Sequence, residues 1–335
     1  GPSIGTALLD RGNRSGTAVI RLAGADGVTL ERLSFTGGNF GVWAPNGVDS
    51  DNLVIRDSTF FDAPGTGYTT YFVWLESSND GATISGNSFT GNSNIDYAGP
   101  SRSIIVNASA TTITANRILW GLQGIEMSGS GTISDNDVSG GYGGISVSSG
   151  SGLAVVRGNR VHDLRTFGIS GYGSGVTIIG NEVWNAAGTG IYASGDATVT
   201  GNTVSFCGTG IFGGDYWYPA TLDGNRVFAN TTGIVVCSTS VARNNSVYSN
   251  SIGIDAVGNF SGTIANNLVY ANTNVGIRDA SSNSYGQSRI LNNTVYQPVG
   301  DALVLSGGAG KIVENNIIQV DAGYALNVAN DAQAA

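Results

Sequence analysis

The chain has 335 residues with 52 Gly and 6 Pro; 41% of residues are hydrophobic and only 12% are charged. Ser, Thr, Asn, Val and Ile supply much of the rest and suit strands and turns, which excludes a helical protein, while the apolar fraction excludes a disordered chain. With 15 basic against 24 acidic residues, a net charge of −9 and a pI near 4.4, there is no basic footprint for nucleic acid or an anionic membrane surface.

The sequence opens Gly1-Pro2-Ser3, which reads as the scar of a protease cleavage, so a piece of a longer protein is expected. Residues 1–27 are expected to hold that scar and irregular cap strands, with Ala7 to Ile20 forming one strand pair. No signal-peptide pattern opens the sequence and no run of about 18 apolar residues follows, so membrane insertion is not expected. From residue 28 to 330 one cassette recurs: an aliphatic residue, two small or polar residues, Asn, any residue, then Val, Ile or Phe. Degenerate copies stand at Leu30 to Phe35 and Ile55 to Phe60. Ile84-Ser-Gly-Asn87-Ser-Phe89 is the first regular copy. Asn116, Asn136, Asn159, Asn181, Asn202, Asn225, Asn245, Asn267, Asn293 and Asn316 mark the others, in steps of 20 to 29 residues. Eight or nine residues after each Asn comes a Gly followed by Ile, as at Ile125, Ile145, Ile191 and Ile211. The sequence ends just after Ala325-Leu326-Asn327-Val328, read as a freshly laid strand without a capping helix, so the domain is expected to be truncated there.

A unit of about 22 residues without a helix cannot bury its apolar side chains alone, whereas stacked units can. Asn tolerates a left-handed backbone at a tight corner and bonds along a ladder of its own kind. These cassettes resemble those of right-handed parallel β-helix repeat proteins, the pectate-lyase-like superfamily, from about Val28 to Val328. The expected fold class is therefore all-β: a single-stranded right-handed parallel β-helix of about 13 coils. Charges support the stacking. The residue after the corner Asn reads Arg117, Asp137, Arg160, Glu182 in successive coils, and Asp223 is followed one coil later by Arg243. Such exposed pairs are worth under about 1 kcal/mol each but fix register. The two Cys are too few for a disulfide framework and read as buried thiols.

The resemblance implies that any chemistry lies in a groove along one outer face, on a long polysaccharide. Alternation along the Gly-Ile strand turns Trp43, Trp74, Glu126, Ser146, Ser170, Tyr192, Phe212, Val235, Asp255 and Arg278 outward. With Trp120 and the Asp215-Tyr216-Trp217-Tyr218 loop, this gives a carbohydrate-binding set of Trp43, Trp74, Trp120, Tyr192, Phe212, Tyr216 and Trp217. Each ring offers a sugar a flat apolar face and a polar edge. A second outward row, His162, Trp184, Ser205, Phe228, Tyr248, Tyr270 and Tyr296, reads as a structural aromatic stack.

For catalysis, a β-eliminating lyase needs a base near a uronate and a cation for its carboxylate. The candidates are His162, the one histidine, with Glu126 and Tyr172. The Asp-Pro-His motif of the superfamily's epimerases and the Asp-Asp pair of its hydrolases are both missing. Glu76 and Glu126 near Arg102 approximate the carboxylate cluster of the calcium-dependent lyases. The calcium nonapeptide does not recur, so calcium is left open and no cofactor is implied. The coils resemble β-helix segments of giant bacterial surface proteins. The expectation is an extracellular or cell-surface scaffold or adhesin module, joined to the rest of a larger polypeptide and contacting glycan along its aromatic face. A polysaccharide-active enzyme working in a groove on the outer face is the alternative, a lyase or epimerase first and a glycoside hydrolase behind, and a glycan-binding phage tailspike is a third reading.

Overall fold

The computed structural model describes residues 7–12, 16–61, 69–93, 101–150, 152–282, 286–308 and 310–329. The Gly1-Pro2-Ser3 opening, residues 62–68 of the insertion after Phe61, and residues 330–335 lie outside that set. The chain divides into two compact units, Gly1–Ile169 and Ser170–Ala335. Both are built in the same way. Each coil contributes three short parallel strands, such as Thr111–Thr114 before the Asn corner, Arg117–Leu119 after it, and Gln123–Ser128 with the Gly-Ile pair. They are called the pre-corner, post-corner and Gly-Ile strands below. Within each unit, described strands pair with their counterparts one coil on: Thr112↔Thr132, Arg117↔Asp137 and Ile125↔Ile145 in unit one, Thr198↔Thr221, Val204↔Val227 and Ile211↔Ile234 in unit two. Among the described residues there is no helix, and the strands make up about 13 coils of roughly 23 residues.

The corner departs from the expectation in one respect. The left-handed residue is not the recurring Asn but the one before it: Ala115 (φ 55°), Asp135 (φ 57°) and Asn244 (φ 56°), or a Gly such as Gly201 (φ 63°). The Asn side chain does other work. Asn202 accepts the backbone N–H and the Nδ2–H of Asn181 on Oδ1, both at 2.9 Å, and its own Nδ2 donates to Ile178 O, Thr200 O and Asn225 Oδ1 at 3.0–3.1 Å. The corner Asn side chains are thus saturated with partners while buried, as a polar group in a core must be. At the degenerate end of unit one, Ser58 stands in the ladder: its Oγ accepts the N–H of Leu33 and its own N–H donates to Asn87 Oδ1. A second ladder, not foreseen, runs five residues later. Asn230, Asn250 and Asn272 bond in sequence, and Gln297 closes the run by accepting the N–H of Asn272.

Inside each unit the inward positions form continuous stacks. Ile84, Ile113, Ile133 and Val156 are fully buried in unit one, as are Ile178, Val199, Leu222, Ile264 and Ile290 in unit two. Each such side chain is worth about 1.5–3 kcal/mol when buried. In unit one Phe35, Phe60 and Phe89 stack inside at centroid separations of 4.4 and 4.8 Å. The segment from Ala7 to Ile20 does not form a strand pair of its own. Ala7–Asp10 pairs in parallel with Leu33–Thr36, and Ala18–Arg21 pairs with the strand at Phe40–Ala44, because Leu9 and Ile20 fall in register with Phe35 and Val42. The last strand, Leu326–Val328, lies where the sequence places it and pairs with Leu303–Leu305.

The expected charge placement holds at Asp223, whose Oδ2 lies 2.9 Å from Arg243 Nε. Arg117, Asp137 and Arg160 stand in register, but Asp137 Oδ1 is 3.0 Å from His162 Nε2. Deep in unit two lies an ion pair. Lys311 Nζ is 2.6 Å from Asp279 Oδ1, with side chains 1% and 0% exposed. Both Ser281 and Ser288 hydroxyls donate to Asp279, and Ser281 O accepts from Lys311. The two thiols, Cys207 and Cys237, are free and buried.

Candidate functional site

The outer face of the Gly-Ile strands carries the expected row. In unit one the register runs Trp43↔Trp74↔Ile105↔Glu126↔Ser146, with Ile105 as the coil equivalent that the sequence pattern passed over. In unit two it runs Tyr192↔Phe212↔Val235↔Asp255↔Arg278. A second outward column, Phe40↔Tyr71↔Arg102↔Gln123, stands beside the first in unit one. Phe40 and Tyr71 are the rings that sequence reasoning missed; the signal was their spacing, three residues before Trp43 and Trp74.

These four rings face one another. Phe40 stacks on Trp43 at 5.0 Å and on Tyr71 at 5.5 Å, and Tyr71 stacks on Trp74 at 4.7 Å. Arg21 covers Trp43 at 5.5 Å. Trp43 Nε1 donates to Glu76 Oε1 at 3.0 Å, and Arg102 Nη1 lies 2.9 Å from Glu126 Oε2. Ring faces that contact each other are not free for a sugar. This cluster therefore reads as packing on the outer surface, and Glu126 as half of an ion pair. Trp120 stands apart from it, at the corner after Arg117–Leu119, with a left-handed backbone (φ 62°) and its ring against Gly140.

His162 lies on a post-corner strand, away from the Gly-Ile face. Its Nδ1 is 2.7 Å from Asp163 Oδ2 and its Nε2 3.0 Å from Asp137 Oδ1. With a carboxylate at each ring nitrogen, no lone pair is presented to a substrate. Further along the same kind of strand in unit two, Phe228, Tyr248 and Tyr270 stack at 5.1 and 4.8 Å, the structural aromatic run that the sequence predicts. Ser205 interrupts the row above it, and Arg226 lies over Phe228 at 4.8 Å.

Unit two brings Tyr172, Tyr192, Phe212, Tyr216 and Trp217 together at the exit of the Gly-Ile strands. Tyr192 and Phe212 are neighbours at 5.7 Å. The loop from Asp215 to Tyr218 follows the strand Thr209–Gly213 and stands out from the surface. Asp215 organises it: Oδ1 accepts the N–H groups of Trp217 and Tyr218, both at 2.8 Å, and Oδ2 accepts the hydroxyl of Ser194 at 2.6 Å. Asn259 Nδ2 donates to Tyr216 O at 2.6 Å, and the Asp215 N–H donates to Tyr218 O at 2.8 Å. Burial pushes the Asp215 carboxyl up, but the hydrogen bonds from Ser194, Tyr218 and Trp217 outweigh it and hold its pKa below the usual aspartate range.

Here the rings meet edge to face. Tyr172 and Tyr218 cross at 85°, and Tyr216 and Trp217 at 77°. Ring faces are thereby left to solvent: Trp217 is 72% and Tyr172 45% exposed. Desolvation first, then the neighbouring Tyr218 and Asp215, hold the Tyr172 hydroxyl above the usual tyrosine pKa, and desolvation does the same for Tyr192. Both phenols are therefore neutral donors at physiological pH. Among the described residues no three His, Cys, Asp or Glu side chains converge as a metal site would require. A groove of about 710 Å³ also opens in unit two, lined by Ala186, Phe206, Cys207, Asn230 and small neighbours along the second Asn ladder.

Residues 102–242 match the family described as the right handed beta helix region. No curated protein matches the chain by sequence. Among solved structures, the chain is similar to the A-module of the mannuronan C-5 epimerase AlgE4 of Azotobacter vinelandii, at 13% identity and a TM-score of 0.59, over 92% of this chain and 89% of that one. It is also similar to the periplasmic alginate epimerase AlgG, at 12% identity and a TM-score of 0.54, over 84% of this chain and 78% of that one. At such identities the likeness concerns the fold. In fold, therefore, the chain is a right-handed parallel β-helix.

Proposed function

We propose that the chain is an extracellular β-helix module of a larger secreted or surface protein, and that it binds glycan through the aromatic crest of Tyr172, Tyr192, Tyr216, Trp217 and Tyr218. One observation carries this reading: a tryptophan stands 72% exposed on a loop that four side-chain hydrogen bonds hold in place. Exposed indole costs solvation, and the loop around it is braced before any ligand arrives, which lowers the ordering cost of binding. The two similar structures are by name epimerases of mannuronan and alginate, so in those proteins this fold serves a polysaccharide. A binding role fits better than a catalytic one. His162 is engaged at both nitrogens, Glu126 is paired with Arg102, and the Tyr172 hydroxyl is shifted away from ionisation.

A glycan array with the wild type and Trp217→Ala tests this. Binding that Trp217→Ala weakens about tenfold, with circular dichroism unchanged, is the expected result. Turnover of alginate or pectate to unsaturated or epimerised product, with or without calcium, would show an enzyme instead.

A further inference from the structure

The charges around the crest point to its ligand class, an inference that rests on the glycan-binding reading above. We infer that the crest takes neutral sugar chains, hexoses or N-acetylhexosamines, and rejects polyuronates. From residue 170 onward the sequence has five cations: Arg226, Arg243, Arg278, Arg289 and Lys311. Arg226 lies over Phe228 and Tyr248 on the post-corner strands. Arg243 is paired with Asp223 on the pre-corner strands, where Arg289 also stands in register with Thr263 and Ile312. Lys311 is buried against Asp279. Arg278 shares the outer row with Phe212, but it stands three coils further on and both its Nε and Nη2 are bonded to Asp255. None of the five is at the crest.

The fixed anion of the crest is Asp215, whose carboxylate accepts three hydrogen bonds, from the Ser194 hydroxyl and the N–H groups of Trp217 and Tyr218. A polyuronate carries one carboxylate per sugar, and each must meet a cation, a metal or water. At this crest each would meet aromatic faces and a fixed negative charge. Neutral sugars ask for what is present: apolar ring faces for their C–H faces, and the phenol hydroxyls of Tyr172, Tyr192 and Tyr218 for their hydroxyls.

The test is calorimetric titration of the protein with β-glucan, mannan and chitin oligosaccharides, and with oligomannuronate and oligogalacturonate, at low and high salt. The expected result is binding of at least one neutral series, nearly independent of salt, with no binding of either uronate. Trp217→Ala is expected to weaken the neutral binding about tenfold, and Tyr270→Ala, on the post-corner stack, to leave it unchanged. Uronate binding as tight as neutral binding overturns the inference and leaves the glycan-binding reading standing. Silence in every series overturns both.

Discussion

A single side chain type sets the corners of this protein. The amide of each corner Asn caps a carbonyl of the preceding coil and joins its neighbours on both sides, so its loss leaves several buried groups without partners at once. Asn202→Ala removes an acceptor for Asn181 and donors for Ile178 O, Thr200 O and Asn225. An orphaned buried polar group costs about 1–3 kcal/mol, so a loss of about 3 kcal/mol or more is expected in urea denaturation. Arg243→Ala, which breaks an exposed pair, is expected to cost under about 1 kcal/mol in the same assay. Two titrations follow from burial and bonding. Burial raises the Cys207 thiol to about 11, so a thiol reagent at pH 8 should label it only after unfolding. Asp215 has a folded pKa below its unfolded one. Its bracing of the crest is therefore complete above the ordinary aspartate range and lost as pH falls through the lower folded value. Tryptophan emission should be flat with pH down to the ordinary aspartate range and shift below it, and Asp215→Asn should abolish that shift.

At the level of strands, the sequence told much because period two and a fixed coil length leave little freedom. Once Ile113, Ile133 and Val156 point inward, Trp74 and Glu126 must point outward on the neighbouring strands, and they do. Side-chain partners were harder to read. Asp137 stands in register with Arg117, yet it is His162, two residues beyond the next coil's Arg160, that reaches its carboxylate. The ring at Tyr71 was invisible because the Gly-Ile strand does not alternate strictly: Phe72 and Val73 are both buried, which brings Tyr71 and Trp74 to one face three residues apart. The division between stacked and exposed aromatics was also out of reach, since it depends on ring tilt. The unit-one platform can be tested by Arg102→Ala, which releases Glu126 from a half-exposed pair. It should shift the urea midpoint little and leave glycan binding unchanged, as the crest is built from residues of the other unit.

For the molecule as a whole, stability is a sum over coils and their nearest neighbours. Damage should stay local. Lys311→Ala leaves Asp279 buried without its cation, a change that costs about 3–5 kcal/mol in comparable sites. Amide exchange should therefore rise first in the coils that hold residues 279 and 311, with the coils of unit one unaffected. The same lysine has a consequence for handling the protein. It is the sole lysine in the sequence, and its side chain is 1% exposed. Amine-directed labels and lysine-specific proteases thus find no lysine side chain to attack while the coils are intact. A succinimidyl dye that reaches Lys311 only as the protein is heated or denatured reports the opening of the coils around it directly.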